Sequence, residues 1–182
     1  MIKLVKPLVE HKEKYIEMIK EWREYGGPYV PCIIDYDCSN TYEIDYERDL
    51  KFIYDYSIGN VNDDDIDYFE SSDFYFIFDD EELVGMGEIR HNLKPLGVNT
   101  LGHIACGIRP SKRKNGYAYE ATKSMIDKLK EDDIEEIVLC HYSENNISPK
   151  IISKLNFKFR NSIISSVSKK EIKCYTRKVN IE

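Results

Sequence analysis

The segment IRPSKRKNGYA, residues 108–118, decides the fold. An apolar run ends at Ile108, and Pro110 stops strand pairing because proline has no N–H to donate. A helical period then begins near residue 115 and continues to about residue 130. The segment therefore predicts a strand, a loop and a helix in immediate succession.

The loop of this segment has the properties of an anion site. The first amides of a helix have no intrahelical partner and lie at the positive end of the helix dipole. Gly116 has no Cβ, so a phosphate can approach the backbone there. Lys112, Arg113 and Lys114 add three cations to an otherwise acidic chain. The loop predicts a diphosphate site, although a basic turn ahead of an ordinary surface helix has the same pattern.

The first half of the chain predicts two helices and then an antiparallel meander. Residues 8–25 place apolar side chains at helical spacing before a Gly-Gly-Pro stop, and residues 42–56 predict a second helix. Three strands follow at 74–78, 83–91 and 100–108, with a hairpin turn at 79–82 and a loop containing Pro95 and Gly97.

Two connections in this half invite a functional interpretation. The apolar loop at 29–35 predicts a segment that lies over a pocket or the core, where it would border a substrate site. The acidic stretch at 59–73 is typical of a solvated surface connection, with an acidic substrate funnel as the alternative.

The second half predicts a strand–helix–strand unit followed by a helix and two strands. Ala118, Ala121, Thr122, Met125 and Leu129 follow the spacing of a helix that packs one face on a sheet. Residues 137–140 are continuously apolar, as in a strand buried on both faces, so we expect parallel pairing with a right-handed crossover. A helix at 148–154 and strands at 157–167 and 172–179 complete the chain.

Composition predicts one domain over residues 1–182. The net charge of −7 argues against nucleic-acid binding and favours small cationic partners. No apolar run approaches the roughly 18 residues that span a bilayer, so we expect no membrane segment. The N-terminus lacks a signal-peptide pattern, which predicts a cytoplasmic protein.

The cysteines predict neither a disulfide framework nor a metal site. They are odd in number and never form a C-x-x-C pair. We therefore expect free thiols and no metal. A small buried thiol is the favoured role for Cys106, ahead of an acyl-accepting nucleophile. The five positions are Cys32, Cys38, Cys106, Cys140 and Cys174.

Two motifs carry a family resemblance. Arg113, Gly116 and Ala118 fit the R/Q-x-x-G-x-G/A pattern, which resembles the diphosphate loop of the GNAT (Gcn5-related N-acetyltransferase) superfamily. Residues 145–157, NNISPKIISKLNF, are similar to its N-x-x-S/A-x-x-x-x-x-K-x-G-F segment. The resemblance implies acetyl-CoA as the co-substrate. It places the cofactor site at Ile108, Arg113, Lys114, Asn115, Gly116, Tyr117, Ala118, Asn145 and Ser148.

The order of predicted elements also resembles the GNAT fold over most of the chain. It implies an α+β (α/β) domain with a mixed central sheet of about six to seven strands flanked by about four helices. Residues 89–91 (IRH) and 102–104 (GHI) are similar to a group of uncharacterised predicted bacterial acetyltransferases. Two positions depart from the family pattern: Asn156 replaces a glycine, and Ile152 replaces a tyrosine that protonates the departing thiolate in many members.

Acetyl transfer to an amine needs an acceptor for the amine's proton. A lysine-like amine has a pKa near 10.4, so only about one molecule in two thousand is neutral at pH 7. Glu88, His91 and His103 lie near the central strands, and His103 and Glu88 are the catalytic candidates. An ordinary pKa near 6.5 suits His103 for the role, and a hydrogen-bonded histidine that orders its strand is the alternative. Arg90 shares the face of Glu88 and would lower its pKa, which favours a structural ion pair.

The other chemical roles are less defined by the sequence. Tyr142 or Tyr175 could donate a proton to the thiolate, and spacing does not choose between them. A backbone amide near the end of the third strand is implied to stabilise the thioester oxygen.

The leading hypothesis is an acetyl-CoA-dependent N-acetyltransferase that moves an acetyl group directly to a primary amine of a small molecule or peptide. A non-catalytic acyl-CoA-binding module is the alternative, and a homodimer is an open expectation.

Overall fold

A computed structural model describes residues 1–26, 30–31, 43–63, 65–132, 134–166 and 168–179. Of the apolar loop at 29–35, only Val30 and Pro31 fall within these ranges. Cys32 and Cys38 lie outside them.

The described chain contains seven strands and five α-helices, with 3-10 turns at Val9–His11 and Pro110–Lys112. In chain order the elements are β1 (Ile2–Val5), α1 (Lys12–Tyr25), α2 (Tyr46–Ser57), β2 (Ser71–Asp79), β3 (Glu82–His91), α3 (Pro95–Thr100), β4 (Ile104–Ile108), α4 (Tyr117–Leu129), β5 (Glu136–Tyr142), α5 (Ser148–Lys154), β6 (Lys158–Ile164) and β7 (Glu171–Lys178).

The strands form two antiparallel sheets. One has the order β1-β2-β3-β4 and the other the order β5-β7-β6. The predicted three-strand meander is confirmed as β2 to β4, and the predicted α+β class is confirmed with its strands divided between two sheets. The sequence analysis missed β1, which has only four residues.

Among the described residues, backbone contacts join the two sheets just before β4 begins and midway along β5. Gly102 has a left-handed φ of 68°, and an isolated bridge joins it to Leu139. The backbone N–H of His103 donates to the carbonyl of Val138 at 2.8 Å. No parallel ladder joins β4 to β5 in the described residues, so the expected parallel pairing is absent. The two strands are joined at this point and then separate.

Two hydrophobic clusters cover opposite faces of the first sheet. One contains Trp22 and Tyr15 of α1 together with residues of α2. The other contains Met125 and further residues of α4 and α5. Close packing of α4 explains Gly87 in β3, because a Cβ there would lie 2.6 Å from the Met125 sulfur.

The segment around Pro95 and Gly97, predicted to be a loop, is the helix α3. Pro95 occupies its first turn, where a missing N–H costs no hydrogen bond. Gly97 is required by packing, because a Cβ would lie 2.0 Å from the Tyr68 carbonyl oxygen. Pro95 and Gly97 predicted a loop, but Pro95 begins a short helix and Gly97 allows that helix to pack closely.

The expectation of free thiols is wrong for one pair of cysteines. Cys140 in β5 and Cys174 in β7 are disulfide-bonded. They lie directly opposite each other in the antiparallel register, with Cα atoms 4.2 Å apart. Their 34-residue separation conceals this contact, because the pairing depends on the order of strands in the second sheet.

A charged cluster ties the end of β3 to the turn after α4. His91 Nδ1 lies 2.8 Å from an Asp132 carboxylate oxygen, and Nε2 lies 3.5 Å from Asp73. Lys6 also pairs with Asp73. The hydrogen bond from His91 lowers the pKa of Asp73 to about 2, and the bond to Asp73 raises the pKa of His91 above its usual value.

We predict that Met125→Ala lowers the free energy of unfolding by about 2–5 kcal/mol, because Met125 is fully buried between α4 and the sheet. Lys123→Ala, exposed on the same helix, should change it by less than about 0.5 kcal/mol. Urea unfolding followed by circular dichroism measures both, and equal effects would contradict the packing described.

A pH-dependent contribution to stability is expected from His91. Its raised pKa means that the charged form contributes fully below about pH 6.5 and that this contribution is lost as the pH rises through the folded-state value. We expect His91→Gln to cost about 1 kcal/mol at about pH 5.5 and markedly less at about pH 9. Urea titrations at both pH values measure the difference. A cost that is the same at both would show that His91 acts through packing.

Candidate functional site

The loop between β4 and α4 folds back on the strand before it. Pro110–Lys112 form a 3-10 turn, and the Arg113 Nε donates to the Ile108 carbonyl at 3.1 Å. The Arg113 guanidinium lies 4.5 Å from the centre of the Tyr25 ring. Arg113 therefore closes the loop in addition to supplying charge, while Ile108 is buried at its base.

Five consecutive backbone amides in this loop are free to bind an anion. Lys114 and Gly116 have left-handed φ values of 68° and 85°, which turn the chain into the helix. The first helical bonds run from the N–H groups of Tyr119 and Glu120 to the Gly116 carbonyl. Among the described residues, the N–H groups of residues 114–118 have no acceptor. Such a row of amides at a helix N-terminus attracts a phosphate.

The approach to these amides is open. A Cβ on Gly116 would meet no atom within 4 Å. Lys114 and Asn115 are exposed, and the Asn115 amide donates to the Lys112 carbonyl at 3.2 Å. The structure thus places all three residues at the mouth of the loop, as a diphosphate site requires.

Tyr117 and Ala118 begin α4 and are anchored to the protein. The Tyr117 hydroxyl donates to an Asp79 carboxylate oxygen at 2.7 Å, and this bond raises the pKa of the tyrosine. The Ala118 carbonyl accepts a bond from the Thr122 hydroxyl at 2.7 Å. The Tyr117 hydroxyl and the Ala118 carbonyl are thus hydrogen-bonded, while the N–H groups of both residues have no acceptor in the described part of the chain.

An ion-pair network that the sequence analysis missed fixes the loop to α1. Arg109 Nε lies 2.5 Å from Glu21, and Nη2 lies 2.8 Å from Glu17. Glu21 also accepts the Ser111 N–H at 2.5 Å. Burial opposes ionisation of Glu21, but the bonds from Ser111 and Arg109 outweigh it and lower its pKa. The i, i+4 spacing of the two glutamates was the available sequence signal.

Beside the loop, the outer edge of β4 pairs with no strand in the described part of the chain, although its Ile108 carbonyl accepts the Arg113 Nε–H. The Arg109 N–H donates to the Val84 carbonyl, and the Arg90 N–H of β3 donates to the His103 carbonyl. In an antiparallel pair this pattern means that the backbone N–H and C=O groups of odd-numbered β4 residues point toward β3. The peptide groups of Ile104, Cys106 and Ile108 therefore face the other edge, away from the ladder. An extended ligand can add to this edge as a strand does.

The second motif forms the N-terminus of α5. The side-chain oxygen of Asn145 accepts the N–H groups of Ile147 and Ser148 at 2.9 and 3.0 Å. Asn145 is exposed, and Ser148 is half-buried. The structure shows a capping role for Asn145 and leaves its amide nitrogen available.

Glu88 is buried, with only 4% of its surface exposed, and it faces the α1 and α2 side of the sheet. An Arg90 nitrogen lies 2.5 Å from its carboxylate, as expected for an ion pair. Burial raises the pKa of Glu88 above its usual value despite the opposing effect of Arg90. The expectation that Arg90 would set a lowered pKa is therefore wrong, because desolvation dominates.

His103 is buried at the junction of β4 and β5. Its Nδ1 accepts the Val138 N–H at 2.9 Å, so the neutral ring carries its proton on Nε2. Burial lowers the pKa of His103 to about 4. The β3–β4 register places His103 and Glu88 as diagonal neighbours on one face. The structure thus brings the two catalytic candidates together and uses one nitrogen of His103 to join the sheets.

Two further residues at β4 limit the chemistry, Val30 on the face of Glu88 and Cys106 on the opposite face. The backbone of Val30 presses on Gly107 of β4, where a Cβ would lie 2.0 Å from its carbonyl oxygen. Burial raises the pKa of the Cys106 thiol to about 12, which makes it a poor nucleophile at neutral pH.

No three His, Cys, Asp or Glu side chains among the described residues are grouped so that they could hold a metal ion. None of the described helices is both long enough and apolar enough to cross a membrane.

Solved structures share the whole architecture. RimL, described as a ribosomal L7/L12 α-N-protein acetyltransferase in complex with coenzyme A, superposes with a TM-score of 0.70 at 13% identity, covering 100% of this chain and 96% of that one. The microcin C7 self-immunity acetyltransferase MccE, in complex with acetyl-CoA and AMP, superposes with a TM-score of 0.66 at 13% identity, covering 98% of this chain and 92% of that one. YncA of Salmonella typhimurium, described as a putative acetyltransferase with acetyl-CoA, superposes with a TM-score of 0.63 at 8% identity, covering 100% of this chain and 95% of that one.

Comparison of the amino-acid sequence with protein-family models identifies the family. No curated protein sequence matches the chain. A family model described as "Acetyltransferase (GNAT) domain" matches residues 51–158, more than half of the chain, and includes the meander, the amide-lined loop and the α5 motif. The chain therefore belongs to the GNAT acetyltransferase domain family.

Proposed function

We propose that the protein is an acetyl-CoA-dependent N-acetyltransferase that transfers an acetyl group directly to a primary amine of a small molecule or peptide. The row of free amides at residues 114–118, with Gly116 open to solvent, is the observation that carries the proposal. Three similar structures contain coenzyme A or acetyl-CoA by their descriptions, which supports the same donor here.

The proposed acetyl-CoA site has two parts. The amides of residues 114–118 and nearby cations, including Arg113, would hold the diphosphate, with Ile108 at the base of the loop. Asn145 and Ser148, at the start of α5, would border the rest of the cofactor. When bound, acetyl-CoA supplies an activated thioester, whose acyl carbon is attacked by the amine.

For the amine's proton, Glu88 is the better candidate base. Its raised pKa brings proton affinity closer to neutral pH, which favours general-base catalysis. Because it is buried, we propose that it acts through a water molecule. His103 has a lowered pKa, and its Nδ1 accepts the hydrogen bond from the Val138 N–H, so we propose that it mainly holds β4 against β5.

The alternative, a non-catalytic acyl-CoA-binding module, is supported by one observation. Ile152, at the position of the usual tyrosine, is a buried apolar side chain of α5 and cannot protonate a thiolate. The identity of the amine, a homodimeric state and a cytoplasmic location remain predictions.

Acetyl-CoA binding should depend on Gly116. We expect Gly116→Trp to abolish measurable binding in calorimetry, because the indole would occupy the open space above the amides. Gly59→Trp is the matched control: Gly59 also has a left-handed φ, of 80°, but lies after α2. The affinity of Gly59→Trp for acetyl-CoA should equal that of wild type. Equal binding by all three proteins would overturn the assignment of the site.

Catalysis is tested by incubating the protein with acetyl-CoA and a panel of polyamines, aminoglycosides, amino acids and peptides while monitoring free thiol. We expect amine-dependent CoA release, and a slow release that no amine accelerates would support the non-catalytic module. With an active amine, Glu88→Gln should lower the rate about 10²-fold or more at neutral pH. Glu81→Gln is the control, because Glu81 is fully exposed in the hairpin, and we expect it to leave the rate unchanged.

The loss in Glu88→Gln should shrink at high pH, where the amine is already neutral. If Glu88→Gln keeps the wild-type rate and His103→Gln shows the pH-dependent loss instead, the base is His103.

A further inference from the structure

His141 is a buried histidine to which neither the sequence motifs nor the proposed chemistry assigns a role. It lies in β5, two residues after Leu139, and is 8% exposed. Ile137 and Leu139 belong to the cluster that contains α4 and α5 side chains. Strand alternation therefore points His141 to the same side.

The hydrogen bonding of His141 fixes its tautomer. Nδ1 lies 2.7 Å from the backbone carbonyl oxygen of Tyr142, and a carbonyl can only accept, so Nδ1 carries the proton. Nε2 of the neutral ring is then an acceptor. It is buried and has no partner among the described residues. A buried acceptor without a donor is uncommon in a native protein and calls for an explanation.

Aromatic contacts orient the ring. It stacks on Tyr175 of β7 with centroids 5.5 Å apart and planes 15° from parallel. Tyr175 in turn contacts Phe159 of β6 edge-on at 5.6 Å. The stacking on Tyr175 defines the plane of the imidazole, and the bond from Nδ1 to the Tyr142 carbonyl defines which edge carries Nε2.

The location of His141 identifies the kind of donor. It lies past Val138, where β4 and β5 are joined, on the strand whose free edge faces β4. The chain then continues to Asn145, which caps α5. The side chains that α5 and the residues just after it contribute to the cluster on this face carry no donor: Ile152, Leu155 and Phe157. Glu88, the proposed base for the amine, lies on the opposite side of the first sheet with the α1 and α2 residues.

We propose that His141 Nε2 accepts a hydrogen bond from an amide N–H of the pantetheine arm of acetyl-CoA. The inference rests on the proposed function, because it takes acetyl-CoA to be the ligand between β4 and β5. The pantetheine arm carries amide N–H donors, whereas the adenosine bisphosphate end is held by the loop at 113–118. His141 is thus a positioning residue for the arm that carries the thioester.

The test compares His141→Phe with His141→Gln. Phenylalanine keeps an aromatic ring to stack on Tyr175 and removes the acceptor, while glutamine keeps an acceptor oxygen. By calorimetry, we expect His141→Phe to weaken acetyl-CoA binding about five- to tenfold, and His141→Gln to retain more of the affinity. Thermal unfolding of ligand-free His141→Phe should occur at the wild-type temperature or above, because the variant no longer buries an unpaired acceptor.

Adenosine 3′,5′-bisphosphate, which lacks the arm, is the control ligand. Its affinity should be the same in wild type and His141→Phe. Unchanged acetyl-CoA affinity in His141→Phe overturns the inference and leaves the proposed function intact. A loss shared by both ligands, or one accompanied by a lower unfolding temperature, shows a structural role and also overturns it. Failure of wild type to bind acetyl-CoA would overturn both the inference and the proposed function.

Discussion

The arrangement of the site depends on the ion pairs of Arg109. This residue directly follows β4, bonds through its backbone to Val84 of β3, and places its guanidinium between Glu17 and Glu21 of α1. Because Glu21 also holds the Ser111 amide, one buried charge fixes the strand, the helix and the start of the loop relative to one another. Because the Arg109 side chain is only 8% exposed, removing Glu21 would leave a poorly solvated charge without its partner, which couples the loop conformation to folding.

The separation of β4 from β5 is the second constraint, and it links stability to function. His103 joins the strands through two bonds to Val138 and uses its side chain as a backbone-like acceptor. Beyond that junction, no strand in the described part of the chain pairs with the outer edge of β4, so peptide groups there give up ladder hydrogen bonds. Glu88 and His141 are likewise buried polar groups whose placement disfavours stability. Natural proteins accept such costs mainly where a ligand or a reaction needs them.

Sequence patterns predicted the elements whose signals are local. The helical period after Gly116 and the Ser148–Lys154 helix were placed correctly because apolar spacing, proline and glycine act within a few residues. Prediction failed where a distant contact decides. Gly97 predicted a loop, but it lies in a helix where close packing on Tyr68 leaves no room for a side chain. Cys140 predicted a free thiol, but Cys174 lies directly opposite it on the neighbouring strand. The pKa of Glu88 was misjudged because Arg90 is visible in the sequence and the burial of the carboxylate is not.

By itself the sequence determined the order of the elements apart from the short β1 and α3, the basic loop after β4 and the family resemblance, because each is set by residues close together in the chain. Only the tertiary structure decided how that loop is held, which face each buried polar group occupies, and which nitrogen of His103 or His141 remains available. Those properties arise from contacts between residues far apart in sequence, such as Glu21 with Ser111 and His141 with Tyr175. Hydrogen bonding and desolvation act through these contacts, and composition and periodicity carry no record of them.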